Sequence, residues 1–193
     1  MKKRWIILLL LFLVTGAAGY GFTREEAQKV QKISSPKVQA IYLECESEEA
    51  NPLLEDTIPD INEAVRKYFN EIQVKAGYIE AYHNLHVYTK MAKEFDTYVA
   101  FVTYDMKIRG IYTEVPGLTT FYIERNEGQI QLAEKPENHE LQKYIARLTG
   151  HRDVQKLFQT VNNTYNQALQ SDALLRETVN ELKNAYDIPE NNN

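Results

Sequence analysis

Thr97-Tyr98-Val99-Ala100-Phe101-Val102-Thr103-Tyr104-Asp105-Met106-Lys107-Ile108-Arg109 is the stretch that decides the fold of this chain. Successive side chains of a β-strand point to opposite faces, so alternating character over many residues marks a strand. Tyr98, Ala100, Val102, Tyr104, Met106 and Ile108 form one unbroken face of apolar and aromatic residues. Val99 and Phe101 begin the other face, which turns polar at Thr103, Asp105 and Lys107. Such a strand is expected to be covered on both faces at one end only. Its length also implies a bend.

Weaker signals surround it. Residues 83–89 read as a second strand. Pro116-Gly117 marks a turn. Residues 119–124 and 129–133 form a hairpin across Arg125-Asn126-Glu127-Gly128, with Gly128 in the left-handed conformation. Upstream, Thr57-Ile58-Pro59-Asp60 opens a helix: Thr57 can cap, Pro59 suits a first turn, and Asp60 faces the positive end of the dipole. Ile61, Ala64, Val65, Tyr68, Phe69 and Ile72 repeat at helical spacing, and the helix fades near residues 74–77. Tyr68, Phe69 and Ile72 are expected to touch Tyr98, Ala100, Val102 or Tyr104.

The C-terminal part is helical. Leu141, Tyr144, Ile145 and Leu148 form a stripe with Asn138 as N-cap and Gly150 past the end. Val154, Leu157, Phe158, Val161, Tyr165, Ala168 and Leu169 form a second stripe. A third, capped by Ser171, runs through Leu175, Val179 and Leu182. The fold class is therefore α+β: a curved antiparallel sheet wrapped around a helix, with C-terminal helices. This domain spans residues 57–186, and residues 187–193 form a disordered tail.

The opening of the chain carries a different message. Met1-Lys2-Lys3-Arg4 is cationic, residues 5–14 are unbroken apolar sequence, and Thr15-Gly16-Ala17-Ala18-Gly19 are small. That order is the layout of a secretory signal, and residues 5–22 are also long enough to anchor in a bilayer. The cationic end then stays in the cytoplasm. Residues 1–22 are expected to be a signal peptide or an apolar anchor helix, giving a membrane partner through residues 5–21. The protein is expected to be secreted, or held at the cell membrane with its domain outside the cytoplasm. Residues 23–56 read as a juxtamembrane spacer: a short helix over 23–36 with the capping box Thr23-Arg24-Glu25-Glu26, an edge strand or the end of a stalk over 37–45, and an acidic loop over 44–56.

Composition removes several function classes. The net charge of -5 supplies no basic field for nucleic acid. Cys45 is the one cysteine, so an internal disulfide and a cysteine-based zinc site are both excluded. Tyrosine is the oddity, with 13 Tyr against 7 Phe and 1 Trp. An apolar ring with a polar tip suits half-exposed strands, pocket rims and binding surfaces. Tyr68, Tyr82, Tyr98 and Tyr104 are the candidate ligand-binding residues.

A resemblance rests on Ile58-Pro59-Asp60-Ile61-Asn62, on Val87-Tyr88-Thr89-Lys90 and on residues 98–108. It continues through Thr113-Glu114-Val115-Pro116-Gly117-Leu118-Thr119-Thr120-Phe121-Tyr122 and Asp153-Val154-Gln155-Lys156-Leu157-Phe158. Together these resemble uncharacterised exported proteins of clostridial-type bacteria that carry a nuclear-transport-factor-2-like, cystatin-like cone domain. The resemblance covers residues 57–183. It implies a bacterial cell-envelope protein. Two departures stand out: the approach to the first strand is shorter than in that family, and its Src-homology-3-type C-terminal domain is not expected here.

The resemblance raises three functions: a non-enzymatic binding or scaffold module contacting other envelope proteins, a small-molecule-binding or catalytic cone, and an accessory part of a conjugation or secretion complex. A cone enzyme would use Asp105 as a general base with Tyr68, Tyr82 or Tyr104 as oxyanion donor. Asp105 shares the polar strand face with Thr103 and Lys107, which argues for a solvated carboxylate and no catalytic residue. His151 and Asp153 suit helix capping. The sequence has no His-x-x-x-His or Asp-x-Asp spacing, so neither a metal site nor a cofactor is expected. Glu44, Glu46, Glu48 and Glu49 read as a solvated loop.

Overall fold

The computed structural model describes residues 47–126 and 128–187. Strand β1 (Leu54–Glu55) precedes helix α1 (Pro59–Ala76), and four strands follow: β2 (Ile79–Met91), β3 (Thr97–Ile108), β4 (Val115–Asn126) and β5 (Gln129–Ala133). Helices α2 (His139–Thr149), α3 (Arg152–Ser171) and α4 (Ala173–Asp187) complete the described chain. The five strands form one sheet in the order β1-β2-β3-β4-β5, with every neighbouring pair antiparallel. The protein is α+β.

Register sorts the side chains into two faces. Ala100 lies opposite Thr89 and Phe121, Val102 opposite Val87, and Met106 opposite Tyr82 and Val115. These residues share a face, and Ile61, Val65 and Phe69 of α1 pack into the same core cluster as Val87, Ala100, Val102, Tyr104, Met106 and Phe121. The Phe69 ring lies 4.9 Å from that of Tyr104, so the expected contact between the helix stripe and the strand face is present. On the opposite face Val99, Phe101 and Tyr122 join Tyr144 and Leu148 of α2 and Val154 of α3. That cover stops at Phe101: Thr103, Asp105 and Lys107 are only half-buried. The double cover at one end follows directly from where apolar residues stop on that face.

Several local expectations need correction. Ile58, not Thr57, sits at the N-cap of α1 and supplies no side-chain cap; the Asp60 carboxylate accepts from the Ile61 amide instead. Pro116-Gly117 is not a turn but lies inside β4, opposite Asp105 and Tyr104. Pairing with β5 begins only at Tyr122, so the first half of β4 has one neighbour and tolerates a residue without an amide hydrogen. The chain reverses earlier, through Gly110 at φ 82. Gly150 ends α2 in right-handed geometry. Asp172, not Ser171, starts α4 by accepting from the Leu175 amide. Strand β2 starts at Ile79, directly after Gly77 closes α1 in the left-handed region. Asn138 does cap α2, and Gly128 has φ 80 as expected.

The acidic stretch before α1 is bound to the domain. Asn51 is buried, its amide donating to the Met91 carbonyl at 2.8 Å and its Oδ1 accepting from the Met91 amide at 2.9 Å. Glu48 accepts from the Arg152 amide. Lys90 is the charged residue at the centre of this joint, its side chain 0% exposed. Its ammonium donates to Asp153 Oδ2 at 2.8 Å and to the Asn51 carbonyl at 2.5 Å, while Asp153 also accepts from the Leu53 amide. A buried cation needs such partners, because its desolvation is otherwise uncompensated.

Among the described residues, four carboxylates are held below their ordinary range. Glu48 is lowered by the Arg152 amide, Asp96 by the Arg125 guanidinium, and Asp172 by the amides of Leu175 and Thr113. For Asp153 burial pushes upward, but the Lys90 ammonium and the Leu53 and Val154 amides outweigh it. A carboxyl group with a depressed folded pKa adds stability above its unfolded value, about 4, and loses it as pH falls through the folded value. Thermal melts should therefore be insensitive to pH near neutrality and drop below about pH 4. A melting temperature unchanged down to about pH 3 would contradict these pairings.

Residues 1–22, with the expected apolar helix, lie outside the described residues. So do the helix over 23–36, the strand over 37–45 with Cys45, and residues 188–193. Among the described residues no helix is long and apolar enough to cross a membrane.

Candidate functional site

Three of the four candidate tyrosines come together between α1 and the sheet. Phe69 is the hub: its ring centroid lies 4.8 Å from Tyr82, 4.9 Å from Tyr104 and 5.8 Å from Tyr68. Tyr68 in turn meets Phe121 edge-on at 4.9 Å, and Tyr82 meets Tyr104 at 5.3 Å. The geometry follows from two periods. Tyr68 and Phe69 occupy adjacent positions on the buried stripe of α1, while Tyr82 pairs with Met106 and so stands diagonally beside Tyr104. Most of these contacts are edge-to-face, the arrangement that aromatic quadrupoles favour.

One of these phenols, Tyr68, meets a carboxylate that the sequence reading missed. Tyr68 donates a short hydrogen bond to Glu134, just beyond β5. Burial raises the Tyr68, Tyr82 and Tyr104 hydroxyls above the usual phenol range, and the Glu134 charge pushes each in the same direction. All three stay protonated and able to donate. The Tyr82 hydroxyl is buried and has no hydrogen-bond partner. Glu134 had no periodic signal, because it follows a short edge strand in an irregular connection.

Tyr98 lies apart from this group. Its hydroxyl donates to Asp96 at 3.1 Å, and Arg125 lies over its ring. Arg125 Nε donates to both Asp96 oxygens at 2.9 Å and Nη1 to Asp60 at 2.9 Å, fastening the β2–β3 hairpin to the start of α1. Tyr98 serves that clamp.

Asp105 sits on the polar face, as the alternation implied. It accepts from the Asn84 amide at 2.7 Å, at an irregularity in β2 where Asn84 has φ 49. Its register partner His83 is 2.7 Å from Glu114. Tyr104 points to the opposite face, so Asp105 and the tyrosine hydroxyls do not share a site. His151 occupies the N-cap of α3 without a side-chain capping bond. Asp153 instead contacts the Val154 amide in the first turn.

No family model matches this chain, and no curated protein or solved structure matches it significantly.

Proposed function

We propose that this chain is an extracytoplasmic, non-enzymatic binding module of a bacterial cell envelope, secreted or membrane-anchored through residues 5–21. Its ligand site is the Tyr68–Tyr82–Tyr104 group with Glu134 at the rim. The observation that carries the reading is the buried Tyr82 hydroxyl without a protein partner, among the rings of Phe69 and Tyr104, in the aromatic group whose Tyr68 is bonded to the Glu134 carboxylate. An unsatisfied buried hydroxyl costs about 1–3 kcal/mol, a cost retained where a ligand supplies the missing partner. Aromatic faces with one carboxylate suit a small ligand with an apolar body and an amine or hydroxyl head. The cationic and apolar start of the chain supports export. The helix lying on one face of a five-stranded meander, and the resemblance over residues 57–183, support a nuclear-transport-factor-2-like cone. Asp105 has no role in this site, and no turnover is expected from it.

Tyr82→Phe separates binding from packing. Removing the unpartnered hydroxyl should stabilise the free protein by about 1 kcal/mol in a denaturant melt. Saturation-transfer NMR with small aromatic and alkyl amines should show binding to the native protein, weakened in Tyr82→Phe and Glu134→Gln. If the native protein binds none of these amines, or both variants bind like native, the tyrosines are core packing and the proposal fails. Mass spectrometry of the N-terminus from membrane and medium fractions tests the export part.

A further inference from the structure

We infer that Glu55, Asp56 and His86 form a binding site for a divalent transition metal of the zinc type, on the β1–β2 edge of the sheet. His86 Nδ1 lies 3.0 Å from Glu55 Oε1 and 3.3 Å from Asp56 Oδ2. The three donor atoms all lie within 4.8 Å of one another. Zinc-to-ligand bonds are about 2.0–2.2 Å, so ligands around one ion sit about 3–3.5 Å apart. The two separations from His86 fall in that range, and the contact with Asp56 is a hydrogen bond that a bound ion would replace. One imidazole nitrogen with two carboxylates suits zinc better than calcium, which takes oxygen ligands only.

The site is built by backbone pairing, not by a chance meeting of long side chains. Glu55 is in register with Tyr88 across the β1–β2 pairing. The Asp56 amide donates to the Val87 carbonyl at 2.8 Å, and the Val87 amide returns a bond to Asp56 Oδ1 at 3.0 Å. Asp56 Oδ1 is thereby oriented, and Oδ2 is left toward His86. Outer contacts of this kind fix ligand geometry in metal sites. The side chains of His86, Glu55 and Asp56 are 47%, 51% and 34% exposed, so an ion has open access and water can complete its shell. The sequence hid the site because His86 lies 30 positions beyond Asp56 and 31 beyond Glu55 in the chain.

The test uses the full chain in detergent micelles, with Zn²⁺ by calorimetry and Co²⁺ as a spectroscopic probe. One equivalent of Zn²⁺ should bind and bleach the Co²⁺ visible band. It should also raise the melting temperature, because it ties β1 to β2. His86→Gln should weaken Zn²⁺ at least tenfold and Glu55→Gln severalfold, while His83→Gln leaves affinity unchanged. Both altered side chains are surface-exposed, and a melt without metal checks that each variant folds. Absence of saturable binding overturns the site. Binding indifferent to His86→Gln, or equal binding of Ca²⁺ and Zn²⁺, overturns it as well and leaves an acidic edge that attracts cations loosely.

Discussion

Asp153→Ala is expected to lower stability by about 3 kcal/mol or more, the largest effect of any surface-reaching residue here. Lys90 stays fully buried in that variant and keeps only the Asn51 carbonyl, so its charge is left largely uncompensated. The Leu53 amide loses its acceptor at the same time. Adding Lys90→Met to Asp153→Ala should restore much of the loss, because an apolar side chain of similar length needs no counter-charge. Urea unfolding of the two variants measures the difference. A loss below about 1 kcal/mol for Asp153→Ala would mean that Lys90 is solvated by another route.

Phe69→Ala should cost about 3–5 kcal/mol. The ring is 4% exposed and is surrounded by Tyr68, Tyr82, Tyr104 and Phe121. Four aromatic neighbours on α1, β2, β3 and β4 are held by backbone in separate elements, so they cannot close over the vacated space. The denaturant midpoint should fall with an unchanged slope, as for a loss of packing without a change in the unfolded chain. A small effect would show that α1 can shift inward, which would also collapse the proposed ligand site.

Sequence periodicity carried the central elements well, for identifiable reasons. Strand β3 was legible because its two faces differ in composition along their length, and the helices cover only Val99 and Phe101 on the second face. Helix α1 was legible because Ile61, Val65 and Phe69 are spaced four apart and all end up buried. Strand β4 was cut short because Pro116-Gly117 is a turn signal in isolation, and only the missing neighbour at that half of the strand permits it. The site was half legible. Tyr68, Tyr82 and Tyr104 were singled out, yet Glu134 was not. Tyr98 was grouped with them although β3 carries it to the other end of the sheet. The Lys90–Asp153 pair was not legible, because local pattern reads lysine as a solvated residue and Asp153 as a helix-capping one, and their pairing spans 63 positions.

The way residues 47–56 close onto α3 also bears on the order in which the molecule assembles. Strands β2, β3 and β4 each pair with the next strand in the chain, so these hairpins close short loops at low entropic cost. The contacts Leu53 to Asp153 and Glu48 to Arg152 join residues 100 and 104 positions apart. Long-range closure of this kind comes late, after local pairing has shortened the effective loop. Damage at that seam should therefore appear in the rate of opening, with Asp153→Ala accelerating unfolding and leaving the refolding rate nearly unchanged.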